Sequence, residues 1–140
     1  MTPPIEWRVH LSSSPEEVFD LWTTDAGRIR FWASSSQEGE RGFALGFGNG
    51  EKLDVERIEA VRPDRFAFRY FGGSTVTLRF DGDGKGGCDL TLREEGAPEP
   101  LENYAGWVSV LLSCKAAADF GVDLRSRDPK RTWEARFVDV

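Results

Sequence analysis

Apolar and polar residues alternate strictly from Ile5 to Leu11: Ile5, Trp7, Val9 and Leu11 are apolar, while Glu6, Arg8 and His10 are polar. A period of two puts each set on its own face of a strand, so the segment predicts a half-buried strand with one apolar face. Ser14-Pro15-Glu16-Glu17 then places a serine at an N-cap, proline at the first helical position and glutamate three residues after the cap. That is the arrangement of a reciprocal capping box. Val18, Phe19, Leu21 and Trp22 supply the buried face of this helix, and Thr24 or Asp25 can cap a second short helix carrying Ile29, Phe31 and Trp32.

The period returns to two from Arg41 to Glu95 and predicts an antiparallel meander of about five strands. Its inward sets are Phe43, Leu45 and Phe47; Leu53 and Val55; Phe66, Phe68 and Tyr70; Val76, Leu78 and Phe80; and Cys88, Leu90 and Leu92. Asn49-Gly50 tolerates the positive φ of a tight hairpin, and Arg62-Pro63-Asp64 suits a turn with proline at its second position. Gly72-Gly73 and Asp81 to Gly87 close the remaining hairpins. The apolar parity shifts between Val55 and Ile58, which requires either a bulge near Glu56-Arg57 or an inward Arg57.

Beyond Pro100 the period is helical. Tyr104, Trp107, Leu111, Cys114 and Ala118 share one stripe of a helix of about 20 residues that ends near Gly121. The tail, 122–140, mixes Arg125, Arg127, Lys130 and Arg131 with acids, reads as a solvated segment, and has Trp133 and Phe137 as anchors. The chain therefore predicts a single α+β domain over 1–140. Its antiparallel sheet has six strands, in the order strand, two helices, five strands, helix, with the tail packing on the domain or extending from it.

Composition narrows the function. Lys and Arg number 18 against 24 Asp and Glu, a net charge of −6, which works against capture of nucleic acid or anionic lipid. The longest apolar stretch, Val108 to Cys114, is far short of the roughly 20 residues of a membrane span. The opening residues show no basic region followed by an apolar core, so the cytoplasm is the expected compartment. Cys88 and Cys114 form neither a CxxC pair nor a secreted framework, and are expected as reduced, buried thiols. Asp81, Asp83 and Gly86 mimic the start of a calcium loop, but Lys85 takes a ligand position and Leu92 stands where a glutamate is needed. The segment is read as a hairpin turn. His10, the only histidine, falls on a polar strand face without partners for a metal or a nucleophile. No metal, cofactor or catalytic set is expected.

The aromatics at inward positions leave two readings open. They can be a filled core, or a curved sheet can enclose an apolar pocket of a few hundred Å³. On the last helix the stripe runs from Tyr104, Trp107 and Leu111 to Cys114, Ala118 and Gly121, which predicts space at its C-terminal half.

The element order resembles that of the START-like helix-grip superfamily, also called SRPBCC or Bet v 1-like. Trp7-Arg-Val-His-Leu11, Ser14-Pro15-Glu16-Glu17-Val18-Phe19 with Leu21-Trp22, Phe31-Trp32, and Gly106-Trp107 with the helix to Lys115 resemble the branch named after the C-terminal domain of the activator of Hsp90 ATPase. The resemblance implies a sheet gripping the last helix, often around an apolar ligand such as a lipid. Over these 140 residues the separate chaperone-contacting domain of a full Hsp90 activator is not expected, and neither is a cochaperone role. The polar constellation of the enzymatic branches is missing.

The leading expectation is a binder of a hydrophobic or aromatic small molecule. Contacts are expected from Trp7, Val9, Trp32, Phe43, Leu45, Phe66, Phe68, Val76, Leu78, Phe80, Leu90, Trp107, Leu111, Cys114 and Ala118, with Tyr70, Arg57 and Glu94 as polar anchors. Replacing Ala118 by Trp is expected to fill the pocket. A protein-interaction module, chaperone-related and without ligand, and a cyclase or hydrolase are the alternatives. A homodimer and a protein partner are compatible with either.

Overall fold

A computed structural model describes residues 3–140. The chain runs β1 (Ile5–Leu11), α1 (Pro15–Thr23), α2 (Asp25–Phe31), β2 (Ser35–Glu38), β3 (Gly42–Gly46), β4 (Lys52–Val61), β5 (Arg65–Arg69), β6 (Thr75–Gly82), β7 (Cys88–Glu95) and α3 (Pro100–Phe120). All pairings are antiparallel, and the curved sheet has the order β1-β7-β6-β5-β4-β3-β2. The first strand thus closes beside the last. α3 lies over β1, and α1 and α2 fill the space between α3 and the middle of the sheet. This is the helix-grip arrangement.

The local signals act as their chemistry requires. Ser14 Oγ accepts from the Glu17 amide at 3.2 Å while Glu17 reaches back to the Ser14 amide, so the capping box is complete. Thr24 caps α2 by accepting from the Gly27 amide at 3.1 Å. Gly121 ends α3 with φ of 65°, the left-handed conformation that glycine adopts without a Cβ penalty.

Three expectations are corrected. The sheet has seven strands: β2, with the sequence Ser-Ser-Gln-Glu, offers no apolar pattern and is ordered by α2. Asp25 accepts from Ser36 Oγ at 2.6 Å and from the Glu38 amide at 3.0 Å, while Arg28 donates to Glu38. Arg28 is fully buried, its guanidinium 3.5 Å above the Phe43 ring. The turn before β5 closes from the Asp64 amide to the Val61 carbonyl, which puts Pro63 at its third position with a cis peptide. Finally, the C-terminal half of α3 is packed against neighbouring elements. Trp22 packs against Cys114, Arg30 donates to the Ala117 carbonyl at 2.7 Å, and Ser13 donates to the Ala118 carbonyl at 3.0 Å. Small residues there admit α1, α2 and the loop before them.

The parity shift in β4 is a bulge at Ile58, between the Arg57–Phe68 and Glu59–Ala67 pairs. Ile58 is thrown out to solvent. Arg57 is left beside Arg28, where both guanidiniums share the Glu38 carboxylate.

Candidate ligand-binding cleft

Both halves of the inward-facing end of β7 matter to the site. Glu94 continues the inward parity of Leu90 and Leu92 and is only 1% exposed. Its Oε1 accepts from Trp107 Nε1 at 2.9 Å and Asn103 Nδ2 at 3.0 Å; its Oε2 accepts from Ser74 Oγ at 2.5 Å and Asn103 at 3.1 Å. Both oxygens are saturated by neutral donors, which is how a buried carboxylate avoids the cost of lost hydration without a cation. The result is a tie between β7, the loop before β6 and the first two turns of α3.

In front of that tie lies a half-open cleft of about 490 Å³. Trp32, Tyr70 and Trp107 form its back, with Tyr70 ring to ring at 5.0 Å from Trp107 and 5.9 Å from Trp32. Phe71 extends this surface at 4.8 Å from Tyr70, and Phe47 in the β3–β4 loop adds another ring at 5.9 Å from Phe71. Gly106 and Val110 contribute one wall from α3. Trp32 Nε1 donates to the Tyr70 hydroxyl at 3.2 Å. Burial pushes the Tyr70 phenol well above its usual pKa; the Trp32 bond works the other way, and the charges of Glu94 and Glu51 add to the rise. The phenol therefore keeps its proton, and among the described residues that proton has no acceptor.

The tail makes the opposite wall, and its arginines are not all solvated as the sequence suggests. Arg125 is buried: it donates to the Ala33 carbonyl at 2.9 Å and the Ile29 carbonyl at 2.6 Å, and pairs with Asp123 at 2.9 Å. A cation thus sits on the carbonyls at the end of α2, where the helix dipole favours it. Burial works upward on Asp123, but the hydrogen bonds from Arg125 and Arg127 outweigh it and hold its carboxyl at about 2. Farther along, Trp133 Nε1 donates to Glu102 Oε2 at 2.6 Å, and Asn49 donates to Glu134 at 3.1 Å. The tail is therefore strapped from the β3–β4 loop to α3. Trp133 is the anchor; Phe137 stays exposed.

Of the ligand contacts read from sequence, Trp32, Tyr70 and Trp107 line the cleft and Glu94 stands one layer behind it. Phe43, Leu45, Phe66, Phe68, Val76 and Leu78 do not: they are core residues at most 4% exposed, packed under α1 and α2. The same holds for Phe80, Leu90, Leu111 and Cys114. Trp7 and Val9 lie under the far flank of α3, where Trp7 donates to the Tyr104 carbonyl at 2.9 Å. Ala118 belongs to the closed half of α3, and Arg57 faces Glu38, away from the cleft. Sequence reasoning missed Phe47 and Phe71 as contacts, together with Gly106, Val110 and the tail wall. The available signal was Trp133, a large ring in a polar tail that needs a surface to cover. Outside the cleft, Asp83 turns onto the Lys85 and Gly87 amides and takes His10 Nε2 at 2.8 Å, so that loop is a self-satisfied hairpin. Cys88 and Cys114 are unpaired and buried, and burial pushes both thiols up to about 12.

The family model described as Activator of Hsp90 ATPase homolog 1-like protein matches residues 12–117. The chain is similar to protein SSP2350 from Staphylococcus saprophyticus, at 25% identity and a TM-score of 0.71 over 86% of this chain and 94% of that one. It is also similar in fold to the Aha1 dimer from Colwellia psychrerythraea, at 19% identity and 0.74 over 86% and 98%. DynU16, from the dynemicin biosynthetic locus, gives 17% identity and 0.73 over 86% of this chain and 49% of that one. No curated protein matches the sequence. No helix among the described residues is long and apolar enough to cross a membrane.

Proposed function

With the chain a member of the Activator of Hsp90 ATPase homolog 1-like family, we propose that it binds a hydrophobic or aromatic small molecule in the cleft between the N-terminal half of α3, the loops at one end of the sheet and the tail. The observation that carries this reading is the continuous aromatic surface of Phe47, Phe71, Tyr70, Trp32 and Trp107 facing about 490 Å³ of open space. Natural ligand sites combine such apolar walls with a few placed polar groups. Here the Tyr70 hydroxyl is the group in place.

Gly106 offers the test. A Cβ built there meets no atom within 4 Å, so Gly106→Trp leaves α3 intact and puts an indole in the cleft. The neutral fluorescent probe N-phenyl-1-naphthylamine should bind the wild type at unit stoichiometry and lose most of its affinity in the variant. Unchanged binding by a folded Gly106→Trp protein would place the site elsewhere.

A second reading, self-association, is favoured by one surface. Leu101, Tyr104, Val108 and Leu112 form an exposed stripe on α3, Leu101 being 83% exposed, and the similar Aha1 is described as a dimer. Such a stripe is uncommon on a monomer. Light scattering of Leu101→Glu/Leu112→Glu against wild type checks it, and equal masses would remove it.

A further inference from the structure

The charges around the cleft are paired unequally. Its wall carries three guanidiniums, engaged within the tail by two carboxylates: Arg125 and Arg127 share Asp123, each at 2.9 Å, and Arg131 pairs with Asp128, which leaves a surplus of one positive charge. The three glutamates of the wall meet no cation among the described residues and outnumber that surplus. Among the described residues Glu102 accepts from the Trp133 indole, Glu134 from the Asn49 amide, the Thr132 side chain and its own backbone amide, and Glu51 has no side-chain partner. Glu94, one layer behind Trp107 and Asn103, is likewise held by neutral donors alone.

From this asymmetry we infer that the cleft selects a hydrophobic organic cation, an aryl- or alkyl-substituted ammonium, over neutral or anionic molecules of the same size. The inference rests on the cleft being a ligand site. Ring faces attract a cation electrostatically, most strongly where water is displaced, and the aromatic back of the cleft supplies them. Tyr70, at the centre of that surface, already feels the negative charges of Glu94 and Glu51. An anion would meet the same carboxylates, and the guanidiniums of the wall are already engaged by Asp123 and Asp128. The tail gives the selectivity its setting, because Asp123 and Asp128 keep its arginines occupied while Trp133 closes the cleft over the unpaired side.

Three probes of nearly one size test it: 1-naphthylmethylammonium, 1-naphthalenemethanol and 1-naphthoate, titrated into the full chain by tryptophan quenching at low and high salt. The cation should bind about tenfold more tightly than the alcohol, and the anion least. Glu51→Gln with Glu102→Gln should bring the cation-to-alcohol ratio toward one, and so should salt, which screens the exposed Glu51. Equal affinities for cation and alcohol, or a preference for the anion, would overturn the charge selection while leaving the cleft as a ligand site. If none of the three binds and Gly106→Trp changes nothing, both this inference and the reading beneath it fail.

Discussion

Glu94 is the residue whose removal should cost most for its size. Replacing it by Leu keeps the volume but takes away the acceptor for Ser74 Oγ, Asn103 Nδ2 and Trp107 Nε1. Ser74 and Trp107 are themselves buried, at 1% and 2% exposure, so their donors are left without water as well as without partner. A buried unsatisfied donor costs about 1–3 kcal/mol, and bonds to a charged acceptor are the stronger kind. Set against this is the desolvation that the ionised carboxylate no longer suffers. The balance for Glu94→Leu is a loss of about 3 kcal/mol. Glu94→Gln keeps one carbonyl oxygen for Trp107 and Asn103, and the Ser74 hydroxyl can turn to accept from the new amide, so about 1 kcal/mol is expected. Urea unfolding of the three proteins measures both values, and in a chain of this size 3 kcal/mol is a fall in Tm of about 10 °C. The order wild type, Gln, Leu is the essential result. A Leu variant within 0.5 kcal/mol of wild type would show that the carboxylate does not tie α3 to the sheet.

The tail and the loop before α1 give two further predictions. Arg125→Ala removes the side chain that holds 122–140 to the end of α2 and should cost about 2 kcal/mol. Limited proteolysis should then cut within the tail; equal protection in variant and wild type would contradict this anchoring. Asp119 has its carboxyl held at about 2: burial pushes it up, but hydrogen bonds from Ser12, Ser13 and Lys115 outweigh that. The folded value lies below the ordinary 3.8, so the stabilisation is fully present above about pH 4 and is lost as pH falls toward 2. With its side chain only 2% exposed, Asp119→Asn should lose about 2 kcal/mol at pH 7 and progressively less below pH 4. A gap between variant and wild type that does not narrow with acid would refute the assignment.

The alternation of β1 and the capping box at Ser14, like the strand parities from Phe43 to Leu92 and the glycine that ends α3, were legible because each is local. A strand facing one core must repeat every two residues, and a helix end must satisfy its free amides within one turn. Glu94 follows the inward parity of Cys88, Leu90 and Leu92, but parity alone does not separate a buried residue from one at the rim of the strand. Three features were beyond that reach. β2 has no pattern of its own and exists because Asp25 and Arg28 meet it in space. The helix α3 is apolar on more than one side, so Tyr104, read on one stripe with the buried Trp107, Leu111 and Cys114, stands 43% exposed. The small residues at its end admit either a ligand or a neighbouring helix, and only the position of Trp22 and Arg30 decides for the helix.

Sequence alone therefore determined the elements, their order and most inward faces, since these depend on contacts between residues near in the chain or on one strand's period. The place of the cleft depends on which element covers which part of α3. That is a balance among α1, α2 and a tail more than 90 residues distant from the α2 carbonyls it caps, and no local pattern encodes it.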